Sequence, residues 1–367
     1  MIKFNSKLTL YIIILIIGFL SYIFIKNKNI YESFLSYTKC DKYKNNNILQ
    51  NILNKNDIKK TEKNDWDIYI PCTYTYVEKE LKYLKTNNKN QKIFGIDGSD
   101  KLAGKDNLWK IFENKYKRHL LNKILPETYI LENQKHMDLF KKDYNKNNIY
   151  ILKKNLQRKQ GIKITQKYED IIKAKSEDFV VVQKYIKNPY LINNRKINLR
   201  IYILIICKNN KSNWYISKLG KCIYANKNYN NNYDEVESHI TSINLDNIIY
   251  NNNPYDLYEL KDYLGNYYFD ILFKRIIFTC KLTKNCFKSI ICKENRLENN
   301  IKFQLFGLDF IFDKLLKPYL LEFNKGPNMK YINDREKNLK NNIYDDIFDL
   351  VDIKKLPNNK KNNFIKL

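Results

Sequence analysis

The chain has 367 residues, 44% of them hydrophobic and 29% charged, with 30 Tyr and 19 Phe. That argues against a disordered or fibrous protein and allows one large core or two packed lobes. The 66 Lys+Arg against 39 Asp+Glu leave a formal charge of +27, which suits a nucleic acid, an anionic lipid or an acidic polypeptide without choosing among them. Part of this basicity follows an excess of Asn, Lys and Ile that reads as coding bias.

In chain order, residues 8–25 come first. From Leu8 to Ile25 no residue is charged, which meets the lower length limit for a membrane-spanning helix. Lys26-Asn27-Lys28-Asn29 follows with no small-residue cleavage pattern, so residues 1–30 are expected to be an uncleaved anchor rather than a signal peptide. Lys26, Lys28, Lys39, Lys42 and Lys44 outnumber Lys3 and Lys7 before the span, predicting a single-pass protein whose bulk faces the cytosol. Residues 31–64 read as a polar, Asn- and Lys-rich tether. The seven Cys form no C-x-x-C pair, and the odd count fits a reducing compartment better than a disulfide scaffold.

Regular structure is expected from a short strand at 65–71, ended by Pro71. A helix at 77–86 follows, then a strand, a Gly-containing turn and a helix opened by Asp106 or Asn107. Strands are expected at 125–131, 148–154 and 178–186, with a helix at 168–175. Residues 196–207 have the apolar density of a central strand, with 213–218 as hairpin partner. Helices at 256–264 and 268–292 precede a strand pair, 302–313 and 317–324, turned at Lys314 to Leu316. A helix near 335–353 and a polar tail, 354–367, end the chain. This alternation with hairpins predicts an α+β (α/β-like) fold with mixed sheets, not a doubly wound one.

Three groups of residues suggest chemistry. Asp309 interrupts an apolar strand, and Glu322 and Asn324, two apart on the next strand, share a face. If the strands pair, these oxygens converge as ligands suited to Mg²⁺; otherwise they are solvent-facing strand residues. Next, an apolar strand runs into Gln183, Lys184, Tyr185 and Ile186, as a linker meeting an adenine edge would. Lys196 and Arg200 flank the following strand on one side, either as phosphate clamps or as solvated basic ends. Finally, Lys153 or Lys154 ends a strand before a polar loop and Gly161, which is a phosphate-covering flap or a basic turn.

Taken in this order, Lys153, Gln183-Lys184-Tyr185, Arg195-Lys196-x-x-x-Arg200, His239-Ile240-Thr241, Phe303-Gln304-Leu305-Phe306-Gly307-x-Asp309 and Glu322-x-Asn324-x-x-Pro327 resemble the tubulin–tyrosine ligase-like family of ATP-grasp amino-acid ligases. The resemblance implies an ATP-grasp fold holding nucleotide between two mixed-sheet lobes. An N-terminal lobe would occupy 65–135, and the central and C-terminal lobes 136–353. It implies ATP and Mg²⁺, the metal on Asp309, Glu322 and Asn324. Lys153, Lys154, Gln183, Lys184, Tyr185, Ile186, Lys196, Asn198, Thr241 and Ser242 would contact nucleotide or the incoming amino acid. Arg200 and Lys153 would be catalytic, with Arg200 stabilising an acyl phosphate. Asn198 replaces the family's usual Asp, Ser242 its usual Asn, and Ile223 or Tyr224 falls where an Arg is usual.

The implied activity adds tyrosine, glutamate or glycine to a protein carboxylate, with the acidic tubulin tail as partner rather than a nucleic acid. The alternatives are a weak or inactive ligase-like binding protein and an ATP-grasp ligase with a non-tubulin substrate.

Overall fold

The computed structural model describes residues 35–39, 47–156, 161–241, 243–353 and 361–367. Its strands are β1 (Ser36–Lys39), β2 (Lys59–Lys60), β3 (Ile68–Ile70), β4 (Lys92–Ile93), β5 (Thr128–Ile130), β6 (Tyr150–Lys153), β7 (Ile162–Thr165), β8 (Val181–Lys184), β9 (Leu191–Ile192), β10 (Arg195–Lys208), β11 (Lys211–Tyr224), β12 (Ile301–Phe312), β13 (Pro318–Asn324) and β14 (Phe364–Lys366). Among the described residues they form two sheets. The larger runs β14-β11-β10-β12-β4-β3-β1-β2, with β13 beside β12 and β9 beside β10; the smaller runs β5-β8-β6-β7.

The antiparallel centre of the large sheet follows from two features of its sequence. Ile197, Leu199, Ile201, Ile203 and Ile205 are buried on one face of β10, and Tyr202 and Leu204 on the other, so this strand is covered on both sides. Burying each such side chain contributes about 1.5–3 kcal/mol. The turns fix the register. Asn193 and Asn194 between β9 and β10, and Asn209 and Asn210 between β10 and β11, all have positive φ. A two-residue hairpin of type I′ needs this at both central positions, and Asn tolerates it better than most residues. The helices Asn266–Phe287 and Asp334–Leu350 pack against β11, and the first also against β13.

The small sheet is antiparallel throughout and has its own core of Tyr129, Leu131, Phe140, Tyr150, Leu152, Ile171, Ala174, Phe179 and Val182. Phe140, on the helix Gln134–Asp143, meets Tyr129 edge-on at 5.2 Å and Tyr150 at 5.4 Å.

These mixed sheets fit the ATP-grasp-like architecture implied above, but several expectations are corrected. No helix among the described residues is long and apolar enough to cross a membrane, so the preceding transmembrane helix, and with it a single-pass protein whose ligase domain faces the cytosol, is not supported. Residues 8–25, which carried that expectation, lie outside the described residues. The expected polar tether at 31–64 contains regular structure: β1 pairs with β2 and β3 in the large sheet. Asn47–Lys55 is a helix burying Ile48, Leu49, Ile52 and Leu53 against the helix Asp334–Leu350; four apolar residues at helical spacing outweigh the surrounding Asn and Lys.

The lobe expected at 65–135 is divided. Its strands β3 and β4 join the large sheet through β12, while β5 joins the small one. Of the expected polar tail, residues 354–360 lie outside the described residues, and β14 pairs with β11. Cys207 and Cys292 form a disulfide, against the reading of the cysteines as reduced.

Candidate active site

Site residues from both sheets line one cavity of about 780 Å³. The large sheet contributes its acidic end. Asp309 on β12 pairs with Glu322 on β13, and Asn324 pairs with Gly307, which brings the three expected oxygen ligands onto adjoining strands. The Asn324 amide nitrogen lies 3.4 Å from Asp309 Oδ2 and 3.3 Å from Glu322 Oε1. Burial, and then the neighbouring Asp309 carboxylate, push Glu322 above its ordinary pKa; two acids placed side by side out of water favour a shared cation.

Arg200 on β10 lies across β12 and forks onto Asp309, with Nη2 2.9 Å from Oδ2 and Nε on Oδ1. Burial opposes its charge, but the Asp309 carboxylate more than offsets this and raises its pKa. Gly307 makes room for it: a Cβ there would stand 2.8 Å from Arg200 Cδ. The glycine of the Phe-Gly-x-Asp string thus has a steric reason. The amide nitrogen of Asn324 bridges the two carboxylates and a cation is drawn to Asp309; with the amide turned to offer its oxygen, the donor set fits a hard divalent ion that completes its shell with phosphate or water. Among the described residues no group of three or more His, Cys, Asp or Glu gathers for a metal, so the set at Asp309 is a partial one.

The cations come from β6 and β10. Lys153 is buried, and burial brings its pKa down to about 8. Lys196 is buried and lowered to about 7 by burial and then by Lys153. It donates to Tyr185 Oη at 3.0 Å and to the His239 carbonyl at 2.8 Å. His239 Nε2 lies 2.9 Å from the Asn232 carbonyl, which can only accept, and Nδ1 lies 3.0 Å from Tyr185 Oη. Burial holds His239 below its usual pKa. The neutral ring therefore donates through Nε2 and accepts the Tyr185 hydroxyl proton at Nδ1, leaving the Tyr185 oxygen to accept from Lys196. This chain locks three of the residues in place.

The remaining expected residues divide. Gln183, Lys184, Tyr185, Ile186, Asn198 and Thr241 line the cavity, and Asn198 donates to Thr241 Oγ1 at 2.9 Å. Asn198 faces Ile223 across the β10–β11 ladder, and Ile223 also lines the cavity, so the replaced Arg leaves an apolar wall. Lys154 is not among the cavity residues; strand alternation turns it away from Lys153, and its Nζ lies 5.1 Å over the Phe179 ring. Ser242, and the flap residues 157–160, lie outside the described residues.

The model of the tubulin-tyrosine ligase family matches residues 82–363. The chain belongs to that family. It is 27% identical over 250 residues to the probable tubulin polyglutamylase ttll-9 of Caenorhabditis elegans, 63% of this chain and 58% of the relative. It is 28% identical over 222 residues to tubulin glycylase 3D of Tetrahymena thermophila, 56% of this chain and 21% of the relative. It is 25% identical over 341 residues to the human probable tubulin polyglutamylase TTLL2, 85% of this chain and 54% of the relative. The chain thus spans between about a fifth and three fifths of the lengths of these relatives.

Within this family member, one cation escaped the reading of the sequence. Lys105 opens the helix Lys105–Glu113, donates from Nζ to the Leu156 carbonyl at 2.7 Å, and has its pKa lowered by burial, partly opposed by Glu322. Its backbone N–H reaches Asn155 Oδ1 at 3.1 Å, tying the helix to the segment after β6. A Lys among 66 Lys and Arg carries no local signal that could have singled it out.

Proposed function

We propose that this chain is an ATP- and Mg²⁺-dependent ligase that adds an amino acid to a protein carboxylate through an acyl phosphate, with the acidic tail of tubulin as substrate. The observation that carries this is the meeting of Asp309, Glu322 and Asn324 with Lys153, Lys196 and Arg200 in one cavity between two sheets, in a member of the tubulin-tyrosine ligase family. The names of its relatives, polyglutamylases and a glycylase, favour glutamate or glycine over tyrosine.

Asp309, Glu322 and Asn324 would hold Mg²⁺, which when bound shields phosphate charge and polarises the transferred phosphoryl group. Lys153 and Lys196 draw the triphosphate between the sheets. Gln183, Lys184, Tyr185 and Ile186 frame the base, and the Tyr185–His239 bond fixes that edge. Arg200, held beside the metal-binding set by Asp309, would present its planar donors to the acyl phosphate while the amine attacks. The +27 charge steers an acidic tail towards the cavity.

The test is ATP-dependent incorporation of labelled glutamate, glycine or tyrosine into tubulin, with and without Asp309→Ala. Loss of at least about a hundredfold in rate is expected from removing one charge-stabilising group; incorporation that survives the substitution refutes the assignment.

A further inference from the structure

We propose that Thr128 is a positioning residue that fixes the orientation of the Gln183 side-chain amide, so that the cavity selects a 6-amino purine over a 6-oxo purine. This rests on reading the cavity as a nucleotide site.

Thr128 on β5 and Gln183 on β8 are paired across the small sheet. Thr128 is fully enclosed, and Gln183 is 9% exposed and lines the cavity. The Thr128 hydroxyl lies 2.8 Å from the Pro126 carbonyl, and Gln183 Nε2 lies 2.9 Å from Thr128 Oγ1. A hydroxyl has one proton. The Pro126 carbonyl can only accept, so that proton is committed to it. Towards Gln183, Thr128 is then an acceptor, and the amide must turn its NH₂ inward. The reverse orientation would set two acceptors face to face and leave a buried donor or acceptor unmade.

The relay is held from outside the small sheet. Arg118 Nη2 donates to the Thr128 carbonyl at 2.6 Å, and its guanidinium stacks 4.3 Å from Tyr129 and 5.1 Å from Trp109. Gln183 Oε1 is left without a protein donor among the described residues and is not sealed from solvent. The cavity therefore presents an acceptor beside the hinge. A 6-amino group donates to it, whereas a 6-oxo group meets it oxygen to oxygen. Discrimination of this kind works by rejection as much as by attraction.

The experiment measures binding of ATP and inosine triphosphate, which differ in the 6-substituent, to the full chain by calorimetry. The parent is expected to prefer ATP by at least about tenfold, the size of one to two net hydrogen bonds. Thr128→Val should bring that ratio close to one, and Thr128→Ser should restore it. A merely structural defect would weaken both nucleotides alike and leave the ratio unchanged. Should Thr128→Val fail to fold, Thr128→Ala and Gln183→Met remove the same relay with less crowding and should give the same loss of preference. A preference that persists in folded Thr128→Val or Thr128→Ala overturns the inference, as does a parent that binds both nucleotides equally. A parent that binds neither refutes the nucleotide site itself, a separate and distinguishable result.

Discussion

The large sheet carries its site residues on β10 and β12, in unbroken register from Asn198 opposite Ile311 to Cys207 opposite Lys302, and on β13, whose register with β12 shifts beside Asp309. The small sheet offers Lys153 as the last residue of a four-residue strand, held by its own aromatic core. Asp309, Glu322, Asn324 and Arg200 are joined by hydrogen bonds on these strands, and holding four polar side chains in one arrangement demands the stiffer frame. At the end of β8 the short element takes its local rigidity from a hydrogen-bonded chain, Lys196–Tyr185–His239, anchored on β10 of the large sheet. The small sheet has its own core on one side, while Ile130 and Val181 of its strands belong to the large core, so a lesion on the first side tests how far the two halves are independent.

That separation is open to direct attack. Phe140→Ala, at the centre of the small core, should cost about 3–5 kcal/mol. Hydrogen exchange should then show protection lost from β5 to β8 while β10 and β12 keep theirs; loss of protection everywhere would mean that the halves are one cooperative unit. A smaller effect is expected on the stiff side. Gly307→Ala would push against Arg200 Cδ at about 1–3 kcal/mol, read as a lower melting temperature together with a fall in ligation rate as Arg200 leaves Asp309.

The mildest effect concerns the shared cations. Lys196 titrates near 7 and Lys153 near 8, both lowered because burial disfavours the ammonium. A bound triphosphate favours the charged form, so binding takes up protons. Nucleotide affinity should therefore fall as the pH rises from 7 to 9, by about tenfold for each proton per pH unit above its pKa. Calorimetry in buffers of different ionisation enthalpy would detect the uptake. An affinity that rose with pH would show that these lysines do not face the phosphates.

The strands and helices from residue 148 onward were legible because apolar runs and amphipathic periods act locally. So was the acidic set: Asp309 breaks an apolar strand, and Glu322 and Asn324 keep strand spacing. The helix Asn47–Lys55 was missed because its four apolar residues are diluted by Asn and Lys, and their worth depends on the helix Asp334–Leu350 lying against them. Lys105 was missed because one lysine in a lysine-rich chain looks like any other until Glu322 lies nearby. Lys154 was included with Lys153 because sequence adjacency does not say which of two neighbours faces inward.

By itself, the sequence determined the alternation of elements, the positions of the turns and the strand face shared by Glu322 and Asn324, since these depend on residues a few places apart. Tertiary structure decided which carboxylates meet, that Arg200 lies over Gly307 onto Asp309, that Ile223 takes a place on the cavity wall, and that β3, β4 and β14 extend the large sheet. Those outcomes depend on contacts between distant segments, where burial and charge act only once the chain has brought the partners together.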